Sequence, residues 1–123
     1  MAEQTFDFDD LAEAGYPLQR FAEGARIFVE GDDGSVMYVV RSGEVGIISA
    51  GTVLEIVGPG ETFGELSLID GEPRGATAIA RMATEVAVID EGAFRYLVTR
   101  YPGFALDLLR RLSRRLRQMN DNL

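Results

Sequence analysis

Residues 63–77 read Phe63-Gly64-Glu65-Leu66-Ser67-Leu68-Ile69-Asp70-Gly71-Glu72-Pro73-Arg74-Gly75-Ala76-Thr77, and their types and spacing suit the capture of an anion. Gly64 lets backbone come close to a ligand, and the short apolar turn after it presents free N–H groups with their partial positive charge. Arg74 adds a full charge that does not titrate away. Glu65 stands apart, because a carboxylate beside an anion repels it unless the carboxylate holds something else, such as a pair of sugar hydroxyls. The combination fits a ribose phosphate. Plainer roles compete with this one. Arg74 also suits a surface arginine after a turn, Glu65 suits an acid in the first turn of a helix, stabilising the macrodipole by about 0.3–1 kcal/mol, and Ser67 either donates its hydroxyl or fills space.

The elements that must position these residues are legible as a run of short strands. Glycines at 24, 31, 34, 43, 51, 58, 60 and 71 punctuate Arg26–Val29, Val36–Val40, Glu44–Ile48 and Thr52–Val57, and two further runs follow at Ala76–Arg81 and Glu85–Ile89. Short strands at regular spacing, with turn residues between them, mean a sandwich or barrel. Asp9–Gly15 reads as a short helix capped by aspartate and ended by Gly15. Asp90 caps a helix over Glu91–Arg100, and Pro102 opens another that runs to about Asn120. In that last helix Phe104, Leu108, Leu112, Leu116, Met119 and Leu123 recur at steps of four and three, one apolar stripe expected to pack on the strands, with the arginines between them on the wet face.

Composition removes whole classes of chemistry. The 123 residues contain no cysteine and no histidine, so the usual thiolate nucleophiles, imidazole bases and common zinc ligands are missing, and neither catalysis nor a metal site is expected. The formal net charge of −8 opposes the phosphate neutralisation on which duplex binding draws, so direct nucleic-acid binding is not expected. All 12 basic residues are arginine, and Arg110, Arg111, Arg114, Arg115 and Arg117 crowd one short stretch. No run approaches the roughly 20 apolar residues needed to cross a bilayer, and the acidic start lacks the basic character of a signal peptide, so the expected location is the cytoplasm. One domain over residues 1–123 is expected, with the strands at about 16–90 and helices at about 91–120.

The segment from Phe63 to Thr77 resembles the phosphate-binding cassette of cyclic nucleotide-binding domains, and the likeness extends over roughly residues 16–120 through the glycine spacing upstream and the helices downstream. The resemblance implies a mainly β fold: a jelly-roll-like β-roll of about eight strands with a short N-terminal helix, a cassette helix and C-terminal helices. It implies that Arg74 meets the exocyclic phosphate oxygens and Glu65 the ribose 2′-hydroxyl. Gly64, Leu66, Ser67, Gly75 and Ala76 then line the sugar and phosphate. Regulators similar to the catabolite activator protein place residues on the base at the positions matching Met119 and Asn120. Family members carry Ala, Ser or Thr where this chain has Gly75, and a hydroxyl there accompanies recognition of guanine, so the resemblance implies cyclic AMP in preference to cyclic GMP. The implied protein is a non-catalytic sensor that signals by movement of the C-terminal helix, with a second copy or another protein as partner through that helix. The alternative is a module that keeps the fold for interaction or dimerisation and no longer binds nucleotide.

Overall fold

The computed structural model describes residues 7–121. They fall into two compact units, one of residues 7–91 and one beginning at Gly92. The first opens with α1, Phe8–Ala12, capped by Asp7, whose side chain accepts from Asp9 N at 2.9 Å. The helix therefore begins before Asp9, because the cap is Asp7 and not one of the aspartates that follow it, and it stops before Gly15, at Ala12, with Glu13 as its C-cap. Phe8 and Leu11 are buried.

Eight strands follow: β1 Leu18–Phe21, β2 Arg26–Phe28, β3 Met37–Ser42, β4 Val45–Ser49, β5 Thr52–Val57, β6 Thr62–Phe63, β7 Thr77–Ala80 and β8 Thr84–Ile89, with α2, Glu65–Asp70, between β6 and β7. They form two four-stranded sheets in the orders β1-β8-β3-β6 and β2-β7-β4-β5, and the paired strands are antiparallel. Six strands coincide, within a residue or two, with runs legible in the sequence. β1 was not legible because three of its four residues are exposed and show no alternation. β6 is only two residues long.

Every strand sends a side chain inward. Tyr38, Val40, Val45, Val57, Phe63, Ala78 and Val86 make the buried cluster, and Phe21, Ile27 and Phe28 pack on it from β1 and β2. β3 is apolar on both faces, with Met37, Tyr38, Val39 and Val40 all buried. Alternation directs Tyr38 and Val40 into the roll and Met37 and Val39 to the opposite face, where α1 lies along β3 and β8. Burying such a side chain contributes about 1.5–3 kcal/mol, so β3 is the most heavily anchored strand of the unit.

The second unit holds α3, Glu91–Arg100, and α4, Pro102–Asp121. Phe94 and Phe104 meet edge to face at 5.5 Å, and Tyr101 N donates to Leu97 O at 2.9 Å across the helix junction. The apolar stripe expected on α4 is buried only in its first half: Phe104 and Leu108 are buried, whereas Leu116 is 60% exposed. Leu106 and Leu109 are exposed as well. Leu123 and the side chain of Met119 lie outside the described residues. No described helix is long and apolar enough to cross a membrane.

An ionic network ties α1 to the strands. Arg41 donates to both carboxylate oxygens of Glu13, at 3.0 and 2.9 Å, and to Glu85 at 2.6 Å, while Arg20 donates to the other oxygen of Glu85 at 2.6 Å. Hydrogen bonds from Arg41 hold Glu13 below the usual carboxylate range, and those from Arg20 and then Arg41 do the same for Glu85. A carboxylate with a depressed folded-state pKa contributes stability above its unfolded pKa, and the contribution is lost as pH falls through the folded value. Arg41→Met is therefore expected to melt below the parent chain at neutral pH, with the two curves converging as pH drops below the ordinary glutamate value of about 4.3. Melting temperature measured from pH 7 to pH 3 checks this, and a gap that widens on acidification contradicts it.

Candidate functional site

The predicted anion-binding residues gather around α2. Gly64 is the N-cap of α2 in the left-handed region (φ 77°), and Gly71 closes the helix in the same conformation (φ 72°) with its N–H bonded to Ser67 O. Gly64 needs more than a permissive backbone. A Cβ there would lie 3.0 Å from Arg74 Nη1 and 3.3 Å from atoms of both Phe28 and Tyr38. Backbone, arginine and two aromatic rings meet at this point.

Arg74 is buried at 4% exposure, so it is not a surface arginine. Nη1 donates to Gly64 O at 2.7 Å and Nη2 to Val36 O at 2.9 Å. Cζ lies 4.2 Å from the centre of the Phe28 ring and 5.9 Å from that of Tyr38. A desolvated cation over an aromatic face gains up to about 2 kcal/mol. The rings are themselves packed together, Phe28 on Tyr38 at 6.1 Å and Tyr38 on Phe63 at 4.9 Å. The Arg74 backbone is clasped to the loop after β2, since its N–H donates to Asp32 O and its carbonyl accepts from Gly31 N, both at 2.8 Å. Among these groups one is left over: Arg74 Nε is buried and makes no hydrogen bond within the protein.

Burial pushes the Arg74 guanidinium down from its usual value, opposed by Tyr38, Glu65 and Asp32. Burial likewise pushes the Tyr38 hydroxyl up, opposed by the Arg74 charge. Glu65 heads α2 and is only 2% exposed, which a solvated acid at a helix start would not be. Ser67 is also buried, whereas Leu66 is 60% exposed and Gly75 lies on the surface with open space where a Cβ would project. Ala76 is half-buried beside β7. Met119 and Asn120 belong to the backbone of α4, and their side chains lie outside the described residues.

The arrangement offers a fixed cation and an acceptor-only carboxylate in one cassette, donors for an anion and an acceptor for hydroxyls. Reading the sequence missed the supports of the cation: the Phe28 and Tyr38 rings, the Val36 carbonyl and the loop of Gly31, Asp32 and Gly34. Phe28 and Tyr38 were visible as apolar members of strands, but nothing local in the sequence directs them to Arg74. Among the described residues no three of His, Cys, Asp or Glu are placed to hold a metal ion.

The family model described as the cyclic nucleotide-binding domain matches residues 18–101, from β1 through the junction of α3 and α4. The chain belongs to the cyclic nucleotide-binding domain family, a family of regulatory modules, and its two sheets and flanking helices are that family's β-roll. It is 36% identical over 114 residues to the cyclic AMP receptor protein of Thermus thermophilus, a match covering 89% of this chain and 53% of that protein. It is 37% identical over 75 residues to the cAMP-dependent protein kinase regulatory subunit of Yarrowia lipolytica, covering 61% of this chain and 20% of that one. The crystal structure of the Thermus thermophilus catabolite activator protein matches with a TM-score of 0.80 at 35% identity, over 94% of this chain and 56% of that chain. The chain spans about half the length of the bacterial relatives it matches.

The two glycines that bracket the cassette separate by environment. Gly64→Ala places a Cβ in a left-handed residue against Arg74 and two rings, and is expected to lower the free energy of unfolding by about 1–3 kcal/mol. Gly75→Ala meets nothing within 4 Å and has no positive φ, so it is expected to stabilise by about 0.4–1 kcal/mol through the unfolded chain. Urea unfolding of the two variants measures both, and a cost at Gly75 equal to that at Gly64 would contradict the assignment.

Proposed function

We propose that this chain is a non-catalytic sensor that binds a cyclic nucleotide in the cassette from Gly64 to Ala76, with cyclic AMP preferred over cyclic GMP. The observation that carries the reading is Arg74: a permanent cation withdrawn from water, its two terminal nitrogens fixed on backbone carbonyls and its Nε donor unused by the protein. A phosphate oxygen is the partner that this donor and charge fit. Glu65, an acceptor in the same cassette, suits the ribose 2′-hydroxyl. Gly64, Leu66, Ser67, Gly75 and Ala76 form the walls, mostly through backbone.

The preference for cyclic AMP rests on Gly75, which has no hydroxyl to offer guanine, and on the similarity to proteins named for cyclic AMP. Met119 and Asn120 are assigned to the base by family resemblance, by dispersion and by amide hydrogen bonding respectively. The proposed output runs through α4, whose exposed Leu106, Leu109 and Leu116 offer an apolar surface to a second copy or another protein. Ligand shifts the population toward the state in which its contacts are complete. The same exposed leucines favour a second reading, an interaction module that has given up nucleotide binding.

Calorimetric titration of the nucleotide-stripped chain with cyclic AMP and cyclic GMP decides between the two. Binding of cyclic AMP is expected, and Arg74→Ala is expected to weaken it by about 2–5 kcal/mol. Equal affinity in parent and variant would place the phosphate elsewhere. No heat from either nucleotide would leave the interaction module standing, with sedimentation as the next measurement.

Glu65→Gln tests the sugar. A smaller loss than that at Arg74 is expected, together with weaker discrimination between cyclic AMP and its 2′-deoxy analogue. Discrimination that survives the substitution removes Glu65 from the ribose.

A further inference from the structure

We propose that Gly34 is a positioning residue for Arg74: the missing side chain at this point in the loop between β2 and β3 lets the guanidinium lie on Phe28 with both terminal nitrogens bonded to backbone. The consequence for ligand affinity rests on the nucleotide reading above. The positioning itself does not.

A Cβ on Gly34 would overlap Arg74 Nε and Cζ and come within 2.8 Å of Nη2. Those three atoms are the side-on edge of the guanidinium, the edge that contains the unused Nε donor. Something must move if a side chain is added, and two facts decide what. Gly34 is not among the residues with positive φ, so alanine is compatible with the backbone there. The atoms it would strike belong to the end of a long side chain. The guanidinium gives way and the loop stays, held by the backbone bonds of Arg74 to Gly31 and Asp32.

Displacement has a definite cost for the site. The cation leaves the Val36 and Gly64 carbonyls and the Phe28 face together, because these supports define one location. Gly64 also touches Arg74, but its left-handed conformation and its contacts with Phe28 and Tyr38 mix backbone strain with any effect on the guanidinium. Gly34 is the position at which placement of the cation separates from stability of the fold.

The test follows the Arg74 Nε–H directly. In the ligand-free, 15N-labelled chain its NMR cross-peak is identified by its disappearance in Arg74→Ala, and its exchange with water is measured. A buried N–H exchanges only through opening, so slow exchange is expected in the parent chain. In Gly34→Ala the exchange is expected to accelerate by about tenfold or more while circular dichroism retains the β spectrum, and affinity for cyclic AMP is expected to fall by about tenfold or more, as loss of charge-assisted hydrogen bonds implies. Phe28→Leu, which keeps apolar bulk and removes the π face, is expected to move both readouts the same way by less. Gly34→Ala should add no further loss of affinity in the Arg74→Ala background, a non-additivity that general loosening of the roll would not produce. Unchanged Nε–H exchange in Gly34→Ala overturns the proposal, and so does an unfolded variant. Accelerated exchange in a chain that binds neither cyclic nucleotide leaves the positioning standing and removes the nucleotide reading.

Discussion

A guanidinium keeps its charge at any pH a folded protein meets, so a chain that takes one out of water must surround it with acceptors and polarisable surface. Arg74 imposes that requirement here. Its partners come from four places in the sequence: the Gly64 carbonyl at the start of the cassette helix, the Val36 carbonyl just before β3, the Phe28 ring at the end of β2, and the loop that meets its backbone at Gly31 and Asp32. None of these groups is a carboxylate bonded to the guanidinium. The cation is held by dipoles and an aromatic face, and its charge is not cancelled by a neighbouring anion in direct contact.

Holding dipoles in place requires a frame that does not relax, and β3 supplies it. The strand is buried on both faces, pairs with β8 and β6, and carries Tyr38 into the ring stack under the guanidinium. Two residues after the inward-facing Val40, its Ser42 end emerges at the surface, with Arg41 bound to Glu13 and Glu85. One strand therefore links the core, the surface network that fastens α1, and the support of the site. The tight stacking of Tyr38 on Phe63 also fixes the entry to the cassette, since Phe63 immediately precedes Gly64.

The cassette pairs opposite chemistries within one short segment. Arg74 brings charge and donors, and Glu65 brings acceptors from the first turn of α2. The two attract one another, and Glu65 favours the charged form of the guanidinium.

What the sequence by itself determined was local. Gly64, Glu65, Pro73 and Arg74 stand out as a candidate anion and sugar site because the chemistry proposed for them depends on residue type and short spacing, and Asp90 and Pro102 mark the starts of α3 and α4 because helix-start signals are made by neighbours in the chain. Strands with clear apolar runs were legible for the same reason. β1 and β6 were not, since Leu18–Phe21 is mostly exposed and Thr62–Phe63 is too short to alternate. The start of α1 at Phe8 was settled by which of several aspartates turned to cap it. The half-exposed stripe of α4 likewise escaped, because periodicity gives a face and not its cover. Only the tertiary structure decided how Arg74 is held. Val36 is 38 positions away from it, Phe28 is brought near it by the antiparallel pairing of β2 with β7, and Gly34 by the loop after β2 that bonds to the Arg74 backbone. The need for a bare backbone at Gly34 arises only once the guanidinium has been brought there. Long-range pairing sets those distances, and no property of residues near Arg74 in sequence encodes them.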